Sequence, residues 1–163
     1  MRRYRKGGVF LHAVNRKILL GNPCSMAMMH GSPQHPEIHG TVSFYRACGG
    51  SLVVAELYQL PSAHGIFAMH IHSGASCTET AQDAFADAGG HWELQPAEHP
   101  QHTGDLPALL SNDGYAWFAV YTNRFSPAQA VGKTVIIHAD PDDYRTQPAG
   151  NAGARIACGT ILA

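Results

Sequence analysis

His70 and His72 stand one residue apart, and further metal-capable side chains follow them: His91, then His99, His102 and Asp105, then His138. Imidazoles and a carboxylate in this order read as a two-metal site. In a strand, residues two apart point to the same face, so His70 and His72 present two imidazoles side by side. A His-x-His pair alone is more often a solvated strand face. Val135-Ile136-Ile137-His138 changes that balance, because it is a second apolar strand ending in histidine far away in sequence. Together the three side chains make a rigid imidazole platform, and such N-donor sites suit copper, since affinity rises toward Cu²⁺ along the divalent series. His91, His99, His102 and Asp105 fall in one loop, with Gly89-Gly90 and Gly104 where the chain must bend tightly. Three imidazoles and one carboxylate form a tetrahedral set suited to zinc.

The elements that position these residues are short. From residue 38 onward, alternating or apolar segments are separated by Gly, Pro, Asn and Asp, the texture of strands and turns. Strands are expected over Gly40–Tyr45, Leu52–Tyr58, Ile66–His72, Tyr115–Tyr121, Lys133–His138 and Arg155–Leu162, with a first strand near Ser25–His30. Cys48-Gly49-Gly50-Ser51 reads as a hairpin turn. Two long stretches without periodicity, His72 to Tyr115 and His138 to Arg155, each begin at a histidine. Long irregular loops in a compact domain are usually functional or disordered, and the ligands in these favour function.

A chain of 163 residues with 45% hydrophobic content suits a single domain. Eleven histidines against 14% charged residues is an unusual balance, since soluble chains average roughly 25% charged. The net charge of −1 gives no reason to expect nucleic acid or a membrane surface as partner. No apolar run approaches the roughly 18 residues of a spanning helix. Cys24, Cys48, Cys77 and Cys158 lack a Cys-x-x-Cys spacing, which counts against a zinc finger or a thioredoxin-type pair. The start carries Arg2, Arg3, Arg5 and Lys6, but its apolar stretch is broken by His12, Asn15, Arg16 and Lys17, a poor secretion signal. Residues 1–25 are read as a leader or disordered arm, residues 26–163 as the folded domain, and the location as cytoplasmic. His12, His30, His35 and His39, with Met26, Met28 and Met29, receive no ligand role.

Taken together, the motifs resemble those of the copper/zinc superoxide dismutase family over residues 38 to 163. They are Gly-Ile-Phe-Ala-Met-His-Ile-His (65–72), Gly-Gly-His (89–91), His99 eight positions beyond His91, His-Thr-Gly-Asp-Leu (102–106), Val-Ile-Ile-His (135–138) and Gly-Asn-Ala-Gly-Ala-Arg-Ile-Ala-Cys-Gly (150–159). The resemblance implies an all-β fold, an eight-stranded Greek-key β-barrel or sandwich with two long functional loops. It implies copper on His70, His72, His91 and His138, and zinc on His91, His99, His102 and Asp105, with His91 bridging the two ions. It pairs Cys77 with Cys158 as a disulfide, puts Arg155 at the rim of the copper to attract a small anion, and makes Asp142 the carboxylate that bonds His70 and His99. Asp143 is adjacent and competes for that last role. Cys24 and Cys48 have no counterpart role.

The implied activity is superoxide dismutation: copper alternates between two oxidation states, oxygen and hydrogen peroxide are released, and His91 carries a proton. A homodimer is the implied assembly. Three departures stand out. The linker between His99 and His102 is only Pro100-Gln101; the segment between Cys77 and His91, with Glu79, Asp83 and Asp87, is longer than in animal enzymes; and the loop from Asp140 to Ala154 has no Lys/Glu cluster. A copper-binding or copper-delivery domain without turnover, and a zinc-only protein, are the alternatives. A complete ligand set argues against both.

Overall fold

The computed structural model describes residues 21–61, 65–78 and 84–163. Residues 1–20, with the basic start and His12, lie outside the described residues, as do Glu79 and Asp83. Nine strands run through the rest: β1 (Ser25–Gly31), β2 (His39–Ala47), β3 (Gly50–Tyr58), β4 (Ile66–Phe67), β5 (Met69–His72), β6 (Leu109–Leu110), β7 (Ala116–Thr122), β8 (Thr134–His138) and β9 (Arg155–Leu162). A single helical turn, α1 (Pro127–Ala130), precedes β8.

Seven strands form one antiparallel sheet in the order β5-β8-β9-β1-β2-β3-β7, and β4 pairs with β6. The chain runs directly from β4 into β5, and β6 lies against β7, so the small pair joins the two edges of the large sheet. The expected eight-stranded Greek-key barrel is therefore present, with one strand interrupted at Ala68. There the ladder detours: Ala68 N–H donates to Asp140 O at 3.0 Å, and Ala68 O accepts from His138 N–H at 2.9 Å.

Alternation builds the interior. In β1, Ser25, Ala27 and Met29 are buried while Met28 and His30 face out. Ala27, Val42, Phe44, Val53, Leu57, Ile71, Val135 and Ile137 belong to one continuous core, in which Phe44 meets Phe125 at 6.2 Å between ring centroids. The β2–β3 hairpin turns on two residues, Cys48 and Gly49, with φ of 43° and 84°. Two successive positive values match the right-handed twist of the flanking strands. Cys48 is thus an exposed turn residue.

Six expected strands appear with ends shifted by at most two residues, apart from the break at Ala68, and the first strand appears as β1. Ser25 already pairs with Phe44, one residue ahead of the expected domain start. The two-residue strand β6 and the four-residue α1 were not expected, because neither is long enough to show a hydrophobic period. Helix α1 does carry a start signal: Ser126 and Gln129 form a capping box with Pro127 at the first helical position.

Phe44 has no exposed surface, whereas Leu110 is 69% exposed. Phe44→Ala is expected to lower unfolding free energy by about 3–5 kcal/mol, and Leu110→Ala by no more than about 0.5 kcal/mol. Urea unfolding of the two variants beside the parent checks the contrast; equal losses would mean the core lies elsewhere.

Candidate metal centre

The pairing of β5 with β8 brings the first three histidines together. His70 opposes Ile136 and His72 opposes Thr134, while His138 follows at the end of β8, where a register shift interrupts the β8–β9 ladder. Because Ile71 and Ile137 point into the core, His70, His72 and His138 point to the outer side of the barrel. The loop after β5 folds back over them. Trp92 N–H donates to Ile71 O at 2.8 Å, and Ile71 N–H donates to Gly104 O at 2.9 Å. A Cβ on Gly104 would collide with Ile71 O, so only glycine lets the loop approach this closely.

Two donor groups result, each with ligand-capable atoms within 4.8 Å of one another: His70, His72, His91 and His138, and His91, His99, His102 and Asp105. His91 belongs to both. Its ring centroid lies 4.0 Å from that of His70 and 5.4 Å from that of His102. In the first group, His72 Nε2 and His138 Nε2 are 3.4 Å apart. In the second, the Nδ1 atoms of His91, His99 and His102 lie 2.7, 3.2 and 3.1 Å from the Asp105 carboxylate oxygens.

The opposite nitrogens are anchored. His70 Nε2–H and His99 Nε2–H donate to the two oxygens of Asp142 at 2.8 and 2.9 Å. His72 Nδ1–H donates to Gly89 O at 2.9 Å, and His138 Nδ1–H to Gly153 O at 3.2 Å. These bonds fix each tautomer and leave the other nitrogen as a lone-pair donor. Accordingly, His70 Nδ1, His91 Nε2 and His99 Nδ1 are buried without a hydrogen-bond partner among the described residues. His99 Nδ1 is near Asp105 but not aligned for a hydrogen bond. Buried polar atoms normally find partners, so orphan nitrogens converging in two groups are what a pair of bound cations would satisfy. The donor chemistry fits copper in the all-imidazole group and zinc in the mixed one.

Asp142 also accepts Tyr144 N–H at 2.7 Å, whereas Asp143 accepts from Thr146 and Arg145 within its own turn. The competition between these neighbours is decided by that geometry. A Cβ on Gly150 would strike Asp142 Oδ1 and His99 Nε2, so the second loop needs glycine there, at φ of 65°.

Arg155, at the start of β9, donates to Phe85 O and Gly89 O at 2.6 and 2.7 Å. It lines a cavity of about 390 Å³ with His72, His91, His138, Glu93 and Gly153. Cys77 and Cys158 form a disulfide, with Cα atoms 5.8 Å apart, that fastens the first loop to β9. Phe85, Ala88, Ile136 and Cys158 pack as a small apolar cluster beneath that loop.

Two side chains that no motif pointed to hold the loops. Arg124 Nη1 donates to His102 O and Asp105 O at 2.9 and 3.0 Å. The Gln147 side-chain amide clamps the backbone of His99, accepting its N–H at 2.9 Å and donating to its carbonyl at 2.7 Å. Each acts on backbone far away in sequence, which leaves no local pattern to read.

Burial dominates the electrostatics. It drives His72 down to about 2 and His138 to about 3, with the neighbouring imidazoles adding to the shift, and it lowers His91 as well. Burial works to raise the carboxyls of Asp105 and Asp142, but hydrogen bonds from His91 to the first, and from His70, Tyr144 N–H and His99 to the second, outweigh it and hold both below the usual range. His72, His91 and His138 are thus neutral donors and the two aspartates charged ones at neutral pH, the states a metal ion requires.

An antiparallel β-barrel with two donor groups sharing one imidazole on its outer face defines a histidine-built, two-metal protein. Residues 38–161 match the family model for copper/zinc superoxide dismutase. The superoxide dismutase [Cu-Zn] of Haemophilus ducreyi is 36% identical over 137 residues, covering 75% of this chain and 68% of the relative. That of Deinococcus radiodurans is 33% identical over 150 residues, 80% of each chain. The Cu/Zn superoxide dismutase structure from Brucella abortus superposes with a TM-score of 0.72 at 29% identity, covering 83% of this chain and 98% of that one. The chain belongs to the copper/zinc superoxide dismutase family.

Removing a proton acceptor and removing metal give separate expectations. Asp142→Asn should weaken metal binding at both groups by about 10–100-fold, read by chelator competition; an effect confined to one group would contradict the shared carboxylate. In metal-free protein, His72 and His138 refuse protons that the unfolded chain accepts below its ordinary value of 6.5. Their stabilising contribution is therefore complete above 6.5 and drains as pH falls toward about 3 and then about 2, where the folded state itself takes them up. The two carboxylates add loss in the same direction below 3.8. Thermal unfolding of metal-free protein across this range checks the sign, and a melting temperature that holds steady on acidification contradicts it.

Proposed function

We propose that this chain is a superoxide dismutase that converts two superoxide anions and two protons to oxygen and hydrogen peroxide, with copper on His70, His72, His91 and His138 and zinc on His91, His99, His102 and Asp105. The observation that carries the reading is the shared imidazole: His91 has one nitrogen beside Asp105 and the other buried and unpartnered in the all-imidazole group. Bound copper supplies one-electron chemistry, oxidising one superoxide and reducing a second, while zinc contributes a fixed positive charge without redox change.

The protein's own residues do the rest. Arg155 is held by two carbonyls, so its guanidinium keeps a fixed place on the cavity wall beside His72 and His138. A permanent cation there draws a small anion toward the cavity that those imidazoles line and orients it. His91 Nε2 can hold a proton when it is not engaged with metal and pass it to a peroxide product, while Nδ1 remains directed at Asp105. Asp142 keeps His70 and His99 in one tautomer throughout. Since all four imidazoles and the arginine are in place, turnover is favoured over copper delivery or a zinc-only role.

Protein loaded with copper and zinc should dismutate superoxide rapidly, and a His138→Ala variant prepared identically should fall to background. Metal uptake by the parent without turnover would transfer the reading to copper handling.

A further inference from the structure

The outer face of β1 carries a row of soft metal donors that the centre does not use. Burial of Ser25, Ala27 and Met29 turns Met26, Met28 and His30 to the opposite side, and exposed Cys24 directly precedes the strand. Cys24 and His30 are exposed, and Met28 is 63% exposed. Methionine is among the residues most often buried, so a run of outward thioethers between a thiol and an imidazole is unusual. Met26, Met28 and His30 line one open groove of about 450 Å³, walled on the other side by Thr160 and Leu162 of β9.

We propose that this row binds a monovalent copper ion. Thiol and thioether sulfurs are the ligands that select Cu⁺, and imidazole accepts copper in either state. Successive donors are two strand rises apart, about 6.6 Å. An ion seated between Met28 and His30 is therefore reached by sulfur from one side and nitrogen from the other, while Met26 extends the row with a further donor in the same groove. The methionine side chains, unbranched with three rotatable bonds, adapt to such an ion without backbone movement. The His30 ring is set at its end of the groove by an edge-on contact with Phe85, at 5.5 Å between centroids.

Sheet register ties the row to the metal centre. His30 opposes Cys158, Cys158 opposes Ile136, and Ile136 opposes His70. One line of neighbours across β1, β9, β8 and β5 thus joins His30 to His70, crossing three interstrand gaps, about 14 Å in all. An ion on the row sits outside the centre but on the same barrel face, beside the strand that carries the disulfide, and is positioned to load the centre. That use rests on the copper reading above; the binding itself does not.

The test is uptake of Cu⁺ alone by the full chain, already loaded with copper and zinc and reduced, in anaerobic competition with a chromophoric Cu⁺ chelator. A Cys48→Ser background removes the other exposed thiol. Expected are one further Cu⁺ per chain, an affinity lower by about tenfold or more in Met26→Leu/Met28→Leu, and unchanged dismutase activity in that variant. Methyl NMR signals of Met26 and Met28 should shift on Cu⁺ addition while those of buried Met29 and Met69 stay in place. A loaded chain that takes up no further Cu⁺, or a double variant that binds as tightly as its parent, overturns the proposal; loss of dismutation in the parent with these methyl shifts intact would sink only the enzymatic reading.

Discussion

The metal centre depends on one carboxylate. Asp142 is buried and accepts His70 through one oxygen and His99 through the other, so a single group orients an imidazole in each of the two donor groups. Because both bonds use Nε2, both rings turn Nδ1 inward, and that choice of tautomer leaves Nδ1 with a lone pair able to bind a cation. Removing such a carboxylate would leave two buried rings free to rotate or to swap the proton between nitrogens. His91 supplies the second link, since it has a nitrogen in each group. The two sites therefore form one electrostatic unit and not two neighbours by chance.

Everything else holds that unit in register with the barrel. Strands β5 and β8 supply a fixed base for three imidazoles, and their inward-facing isoleucines tie that base to the core. The first long loop is fastened to β9 by the Cys77–Cys158 disulfide and to the barrel rim by Arg124, and the second is fastened to the first by Gln147. Arg155 belongs to β9 yet bonds the first loop, so the guanidinium that lines the cavity also locks its wall. Rigid support of this kind is what neutral, closely packed imidazoles require. Burial has already suppressed the protonation of His72 and His138, and hydrogen bonds replace the water they have lost.

Much of this was legible in the residues. His-x-His on an apolar strand, the glycine-flanked loop histidines and the strand ending at His138 all carry local patterns, and the strands themselves alternate clearly enough to place within two residues. What could not be read are effects that act across the chain. Ala68 interrupts a strand because Asp140 takes its N–H and His138 its carbonyl, and nothing near Ala68 announces that. Arg124 and Gln147 bond to carbonyls and amides, which have no residue identity to match. Asp142 and Asp143 look alike in sequence, and only the fold turns the first toward the histidines and the second into a turn of its own. A first strand was legible near Met26, Met28 and His30, but their sharing its outward face follows only from which of its residues the fold buries.

The central claim is that His91 joins the two donor groups through its two nitrogens, and a magnetic measurement tests it most directly. Cu²⁺ would be placed in the all-imidazole group and Co²⁺ in the group with Asp105, and the copper electron paramagnetic resonance signal recorded at low temperature. The account predicts that the signal is lost when cobalt is added, because a shared imidazole couples the two unpaired spin systems. A copper signal of full intensity and unchanged shape with both ions bound would contradict it.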